Sequence, residues 1–204
     1  CIRDSYYLTS EIDVSVATAW LTELNATLPV NKRVLPAALL LKASALAFAR
    51  TPELNGYWED GHFRAGDGVH LGVAIALRGG GLIAPAIADA DRLSLGDLMA
   101  ALRDLVGRTR AGKIRGSEMT APTVTITNLG DQGVDALAPV IYPPQVAILG
   151  FGRIKPRPWV EGGQVVARST VVATLAADHR ASDGHRGAQL LGELDRILQA
   201  PETL

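Results

Sequence analysis

The pattern of apolar and polar positions predicts strands spread along the whole chain. Alternating or β-branched apolar runs, which are typical of strands, occur six times. These predicted strands cover residues 6–14, 69–77, 82–87, 123–127, 145–151 and 169–177. The glycine triplet at 79–81 predicts a turn between the second and third strands.

Apolar residues at helical spacing predict four helices. The first follows Ser15, whose hydroxyl is expected to cap it, and the others cover residues 35–50, 95–110 and 183–199. The helix at 35–50 is apolar nearly all round, so we expect it to be buried.

Two segments are predicted to be irregular. Residues 52–60, with an exposed Trp58, are expected to form a loop, and residues 156–163 a turn-rich link. Strands and helices mix without a strict β-α-β order. This arrangement favours an α+β fold, in which a mixed sheet has helices packed on one face.

Composition limits the possible functions. The chain has 204 residues, 48% of them hydrophobic, and a formal net charge of −1. This length suffices for one domain with a sizeable core, and near neutrality argues against a nucleic-acid partner. No run reaches the roughly 18 apolar residues of a membrane span, and no signal peptide is seen. Cys1 is the only cysteine, which excludes an internal disulfide and fits a cytoplasmic location.

The stretch most suggestive of chemistry is D-H-R-A-S-D-G at residues 178–184. His179 lies where a predicted strand ends, and a histidine there can accept a thiol or hydroxyl proton near neutral pH. Asp183 is expected to anchor the turn by accepting hydrogen bonds. An ordinary histidine at a strand end explains the same pattern. We find no spacing of metal ligands and no nucleophile elbow, so no metal is expected.

Several blocks together resemble the dihydrolipoamide acyltransferase component of 2-oxo acid dehydrogenase complexes. The blocks are Y-Y-L-T at 6–9, G-L-I-A-P-A-I at 81–87, T-I-T-N-L-G at 125–130, P-P-Q-V-A-I-L-G-F-G-R-I at 143–154 and the D-H-R-x-x-D-G motif at 178–184. The H-x-x-x-D-G core alone is shared with chloramphenicol acetyltransferase. The resemblance implies a chloramphenicol acetyltransferase-like sandwich that occupies residues 1–204 as one catalytic domain. It also implies that lipoyl and peripheral-subunit-binding domains precede this fragment in a longer chain.

The resemblance also implies a mechanism. His179 would remove a proton from the thiol of coenzyme A or of a dihydrolipoyl group, and the thiolate would attack a thioester. The hydroxyl of Thr127 from a neighbouring subunit would stabilise the oxyanion. Asp183 would be held by an arginine upstream of Cys1, for which Arg3 is a weak substitute. Coenzyme A would be a substrate, and the lipoyl group would sit on a separate domain.

The same resemblance implies an assembly. Trimers would build a core of 24 or 60 chains that binds the dehydrogenase and dihydrolipoamide dehydrogenase subunits. The position ten residues after the catalytic hydroxyl is often Phe in acetyl-transferring members, and here it is Leu137. This difference favours a branched acyl group, with acetyl next, although Thr127 is similar to succinyl-transferring members.

Three other functions remain open. The chain could be an antibiotic acetyltransferase of the chloramphenicol type, a non-catalytic scaffold of the core, or a generic binding domain. The 143–154 block argues against the first of these, and the presence of His179 argues against the second.

Overall fold

The computed structural model describes residues 5–77 and 79–204. Within them the chain forms eleven strands and five α-helices. The strands are β1 (Ser5–Asp13), β2 (Gly56–Glu59), β3 (His62–Ala65), β4 (Leu71–Val73), β5 (Ile75–Ala76), β6 (Leu82–Ile83), β7 (Ala86–Ile87), β8 (Val124–Asn128), β9 (Ala147–Phe151), β10 (Lys155–Glu161) and β11 (Gln164–Asp178). The helices are α1 (Ser15–Thr27), α2 (Pro36–Arg50), α3 (Leu95–Arg110), α4 (Gly116–Thr120) and α5 (Gly184–Leu198).

The main sheet is mixed, as predicted. Its strands lie in the order β1-β11-β9-β8-β4-β7, and β10 pairs with the first half of β11. β8 runs parallel to β4 and β9, whereas the other pairings are antiparallel. Two small sheets, β2–β3 and β5–β6, lie outside it. The α+β class and the helix-on-sheet arrangement are therefore confirmed.

The core lies between the sheet and its helices. α2 packs against both α3 and α5, and ten consecutive or near-consecutive positions of α2 are buried, which confirms the expected central helix. One of these positions is Lys42, whose ammonium donates to the carbonyl oxygen of Asp91 at 2.8 Å. Burial lowers the pKa of Lys42, and the acceptor satisfies the charge that would otherwise be costly in the core.

Four local predictions were wrong in detail. Ser15 is the first residue of α1 rather than its cap; the Asp13 carboxylate accepts from the Ser15 N–H at 2.8 Å, and the Ser15 hydroxyl accepts from the Ser169 N–H. The predicted loop at 52–60 contains β2, and Trp58 is half-buried rather than exposed. The predicted link at 156–163 is mostly strand β10.

The fourth difference concerns the predicted strands at 69–77 and 82–87. Each is broken into two short strands: β4 and β7 join the main sheet, while β5 and β6 form a separate hairpin. The three glycines at 79–81 all have positive φ, a conformation that glycine adopts readily in a tight turn, and here the turn joins β5 to β6.

In the described part of the chain, no helix combines the length and apolar character that crossing a membrane requires. The same residues contain no cluster of three or more side chains that could hold a metal ion.

Candidate active site

His179 follows the last residue of β11, the longest strand of the sheet. β11 is buried on both faces from Thr170 to Asp178, and the chain then turns sharply. The carbonyl oxygen of Asp178 accepts hydrogen bonds from the N–H groups of Ala181 and Ser182, each at 3.1 Å. This turn ends the strand and leaves the His179 side chain exposed at the edge of the sheet. The exposure fits a group that must meet a substrate.

Tyr6 of β1 contacts one face of this turn. Its ring meets the His179 imidazole edge-to-face, with the ring centroids 5.2 Å apart and the planes at 69°. The Tyr6 hydroxyl and the Ser182 hydroxyl are hydrogen-bonded at 2.9 Å. Burial raises the pKa of Tyr6, so the phenol stays neutral at physiological pH. Tyr6 was seen in the sequence only as part of a strand, and alternation alone carries no signal for this contact.

Helix α5 approaches Tyr6 closely because residue 187 is glycine. A Cβ atom at Gly187 would lie 2.7 Å from Leu8 Cδ1 and 2.9 Å from Tyr6 Cε2. Both distances are shorter than a carbon–carbon contact allows, so a side chain at this position would force Leu8 and Tyr6 to shift. The glycine thus sets the distance between α5 and the strand that carries Tyr6.

On the other side of the turn, Asp178 and Arg180 form an ion pair in which the carboxylate is buried and the guanidinium is partly exposed. The Asp178 side chain is only 11% exposed. Its Oδ1 accepts from both the main-chain N–H and Nε of Arg180, each at 2.9 Å, and Oδ2 accepts from Nη2 at 2.6 Å. Burial acts against ionisation, but these hydrogen bonds prevail and hold the pKa of Asp178 below its ordinary value.

The guanidinium of Arg180 also lies over the indole of Trp58, 4.8 Å from the ring centroid. Trp58 belongs to the β2–β3 hairpin, which the sequence had not predicted. Beside this stack lies a cavity of about 490 Å³. Its walls combine aromatic and proline side chains with the polar groups of Gln145, Asp178 and Arg180.

Asp183 acts as the N-cap of α5. Its Oδ1 accepts from the main-chain N–H of Arg186 at 3.0 Å, and this hydrogen bond lowers the pKa of the carboxyl. The carboxylate thus accepts a main-chain hydrogen bond as expected, but the donor lies in the first turn of α5, and the turn itself is held by Asp178. In the part of the chain that the structure describes, the Asp183 carboxylate forms no ion pair with an arginine, and Arg3 lies outside that part.

Thr127 lies near the end of β8, where it is half-buried. Its strand neighbour across the parallel pair is Gly150. The Leu137 side chain covers that glycine: a Cβ atom at Gly150 would lie 3.0–3.3 Å from three Leu137 side-chain atoms. Leu137 is therefore placed beside the hydroxyl that the resemblance made catalytic.

A single chain does not bring Thr127 and His179 together. Thr127 pairs with Gly150, and Gly150 pairs with Thr174 of β11, five positions before His179. Because each strand residue advances about 3.3 Å, the two groups are separated by roughly 16 Å along the strands and by two strand spacings across them. They lie at opposite ends of the strands, so a site that used both would need a second chain.

Comparison with known proteins gives the family. The model of the 2-oxoacid dehydrogenases acyltransferase catalytic domain matches residues 4–204. The dihydrolipoyllysine-residue acetyltransferase component of the Staphylococcus epidermidis pyruvate dehydrogenase complex is 36% identical over 170 residues, which are 81% of this chain. The chain spans only 38% of that relative's length.

Solved structures agree with this match. A probable dihydrolipoamide acetyltransferase from Listeria monocytogenes has a TM-score of 0.91 at 25% identity, covering 97% of this chain and 85% of that one. The Azotobacter vinelandii dihydrolipoamide acetyltransferase has a TM-score of 0.90 at 26% identity, covering 98% and 83%. That structure was studied for the roles of a serine, a histidine and an asparagine in catalysis.

Chloramphenicol acetyltransferase shares the fold at a TM-score of 0.64 and 12% identity, covering 96% of this chain and 88% of that one. The chloramphenicol acetyltransferase-like sandwich predicted from the sequence is thus confirmed. Taken with the family match over nearly the full length, these findings show that the chain belongs to the catalytic-domain family of the 2-oxoacid dehydrogenase acyltransferases.

Proposed function

We propose that this domain transfers an acyl group between a dihydrolipoyl thiol and coenzyme A, with His179 as the general base. The observation that carries the proposal is the exposed imidazole of His179 on a braced strand end, in a chain of this family. A base held in this way removes the thiol proton while the thiolate attacks the thioester carbon. A positioned base contributes about 10²–10⁴-fold to the rate.

The spacing of the site residues supports these roles. In the Azotobacter vinelandii enzyme, the serine and histidine studied for catalysis are 52 positions apart, and the histidine and asparagine are four apart. Thr127, His179 and Asp183 have the same two spacings. Threonine keeps the hydroxyl of serine. Aspartate, like asparagine, offers an oxygen that can cap a helix.

In the proposed reaction, Thr127 of one chain works with His179 of the next. Attack of the thiolate turns the thioester carbonyl into an oxyanion, to which the Thr127 hydroxyl donates a hydrogen bond. The leaving thiolate then takes back the proton held by His179. The opposite locations of the two groups on one sheet support a site shared between chains.

For the acyl group, we now favour acetyl over the branched chain expected from Leu137. The supporting observation is that the Staphylococcus epidermidis relative is the acetyltransferase component of a pyruvate dehydrogenase complex and that the Azotobacter vinelandii protein is a dihydrolipoamide acetyltransferase. Leu137 covers Gly150 beside Thr127, so its size bears on the acyl pocket. A pocket difference of a few methylenes is worth only about 1–3 kcal/mol, so isobutyryl stays the second candidate.

The wider assembly is also a proposal. A relative of known structure forms the cubic core of the pyruvate dehydrogenase multienzyme complex, with a TM-score of 0.90 and 26% identity. We infer that trimers of this chain build a comparable core in the cytoplasm. Lipoyl and subunit-binding domains of a longer chain would supply the acyl groups and hold the two dehydrogenases.

The test is acyl transfer from acetyl-coenzyme A to dihydrolipoamide, measured with the assembled protein and its His179→Ala variant. We expect the variant to lose at least 10²-fold in kcat while its sedimentation stays that of the assembled form. His62→Ala, at an exposed histidine of the β2–β3 hairpin, is the matched control and should keep full activity.

Retention of turnover by His179→Ala would overturn the mechanism. Acetylation of chloramphenicol without any reaction of dihydrolipoamide would instead favour the antibiotic acetyltransferase. Assembled wild-type protein that transfers none of the acyl groups would favour the scaffold.

A further inference from the structure

The His179 ring makes no side-chain hydrogen bond with the described residues, so the residues around it must determine its orientation. Neither ring nitrogen is hydrogen-bonded to another of the described residues, and the Tyr6 ring is its aromatic neighbour. The direction of the side chain therefore depends on the backbone of residues 178–180. Whatever holds that tripeptide also aims the imidazole.

Asp178 and Arg180, the first and last residues of this tripeptide, are joined by hydrogen bonds that hold its backbone. The Asp178 carboxylate binds the main-chain N–H of Arg180 and also its guanidinium, so it grips residue 180 at two points. The main-chain contact is an Asx-turn, which by itself fixes the backbone across residue 179. The bidentate contact with the guanidinium adds the directional strength of a fork-shaped, charge-assisted pair.

Trp58 ties this clamp to the sheet. Its main-chain N–H donates to the Pro144 carbonyl oxygen at 2.8 Å, and the Val146 N–H donates to the Gly56 carbonyl oxygen at 3.1 Å. The Asp178 N–H in turn donates to the Val146 carbonyl oxygen at 2.8 Å. The indole and the carboxylate that contact Arg180 are thus both braced on the same short segment.

We propose that Arg180, held between the Asp178 carboxylate and the Trp58 ring, is a positioning residue that aims His179 at the reacting thiol. This inference rests on the proposed function, because it assigns Arg180 a role only through His179. The guanidinium needs both partners: the fork fixes its direction, and the flat ring face fixes its plane. The lysine ammonium carries the same charge, but it lacks both the paired N–H donors and the flat shape of the guanidinium.

The test compares Trp58→Leu, Trp58→Phe and Arg180→Lys in assembled protein. A misplacement of about 1 Å can cost about 10²-fold in rate, so we expect Trp58→Leu and Arg180→Lys to lower kcat by about 10- to 100-fold. The KM values for acetyl-coenzyme A and for dihydrolipoamide should stay within twofold of those of the wild type. Trp58→Phe keeps a ring face under the guanidinium and should recover most of kcat.

Arg64→Lys is the matched control. The Arg64 guanidinium stacks on Tyr57 at 4.4 Å and forms an ion pair with Glu59, so it has the same kinds of partners on the same hairpin. It makes no contact with the turn at 178–180 among the interactions described. Its replacement should leave kcat unchanged.

Three outcomes would overturn the inference. One is unchanged kcat per assembled chain in both Trp58→Leu and Arg180→Lys. Another is a rise in KM with kcat unchanged, since Trp58 would then be a wall of the adjacent cavity and nothing more. The third is an equal loss in Trp58→Leu and Trp58→Phe. The His179→Ala variant, measured alongside, separates these outcomes from failure of the proposed function, which would show as full activity of that variant.

Discussion

The two ends of the sheet that carry the candidate groups are built in opposite ways. At the end of β11, large side chains surround the turn that carries His179. The Tyr6 phenol contacts His179 itself, and the Trp58 indole and the buried Asp178 carboxylate contact the Arg180 guanidinium. At the end of β8, Thr127 is flanked by glycines, and the chain segments cross closely. A Cβ atom at Gly152 would lie 2.0 Å from the Asp135 carbonyl oxygen.

This difference matches what each group would have to do. A base needs a fixed direction, and bulky neighbours provide it for His179. A hydroxyl donor needs space for an oxyanion to approach. A cleft of about 350 Å³ lies near the end of β8, between the start of α2 and Asn128, Gly130 and Gly152. Under the proposed function, each end of the sheet would supply one half of a shared site.

The largest effect on activity is expected from removing the Thr127 hydroxyl. We expect Thr127→Ala to lower kcat by about 10²–10³-fold, the usual effect of losing one oxyanion donor. Thr127→Ser keeps the hydroxyl and should stay within a fewfold of wild type. Steady-state transfer between acetyl-coenzyme A and dihydrolipoamide measures both, and equal activity of the two variants would contradict the role.

Mixing variants sharpens the same prediction. If each site combines His179 of one chain with Thr127 of another, then co-assembly of equal amounts of His179→Ala and Thr127→Ala chains restores about a quarter of the sites. The two variants are unfolded and refolded together, and activity is compared with separately refolded samples. No gain on mixing would mean that the site is not shared.

A smaller effect is expected from filling the space beside Thr127. Leu137→Phe adds bulk over Gly150, so it should reduce transfer of isobutyryl more than transfer of acetyl, by about tenfold in the ratio of kcat/KM values. Leu137→Met, which nearly conserves volume, is the control. An unchanged ratio in the phenylalanine variant would remove Leu137 from the acyl pocket.

The smallest effect on activity is expected at Asp183. Asp183→Asn keeps the cap of α5, so kcat should stay within a fewfold. The folded-state pKa of Asp183 is lowered, so its carboxylate stabilises the fold above its ordinary pKa, and this contribution is lost as pH falls through the lowered value.

Because asparagine does not titrate, the variant should lose less thermal stability than wild type between pH 7 and pH 3. Melting temperatures across that range provide the measurement. If melting temperature changes with pH in the same way in both proteins, the stability that the cap contributes does not depend on the charge of residue 183.

The elements with clean periodicity were predictable from the sequence. The helix predicted at 95–110 coincides with α3, and β11 ends one residue after the predicted strand. Two strands were missed for opposite reasons. The β2–β3 turn has Asp60 and Gly61, both at positive φ, a hairpin signal that was present but not used. β10 contains Pro156 and Pro158, which argue against a strand except at an edge, where β10 lies.

For the site, motifs predicted His179, Asp183 and Thr127, but they did not predict the residues that hold them. Arg180 meets Trp58, more than a hundred positions earlier, and Tyr6 meets Ser182 from the opposite end of the chain. Such contacts depend on tertiary packing and leave no local pattern. The resemblance implied a site shared between subunits, but the separation of Thr127 and His179 within one chain depends on strand register, which is fixed only once the sheet has formed.

The antiparallel pairing of β9 with β11 has a kinetic consequence. It sends the end that carries the imidazole and the end that carries the hydroxyl away from each other. Under the proposed function, a solitary subunit would therefore be inactive. Specific activity would then depend on protein concentration and would fall on dilution below the dissociation constant of the oligomer, by mass action.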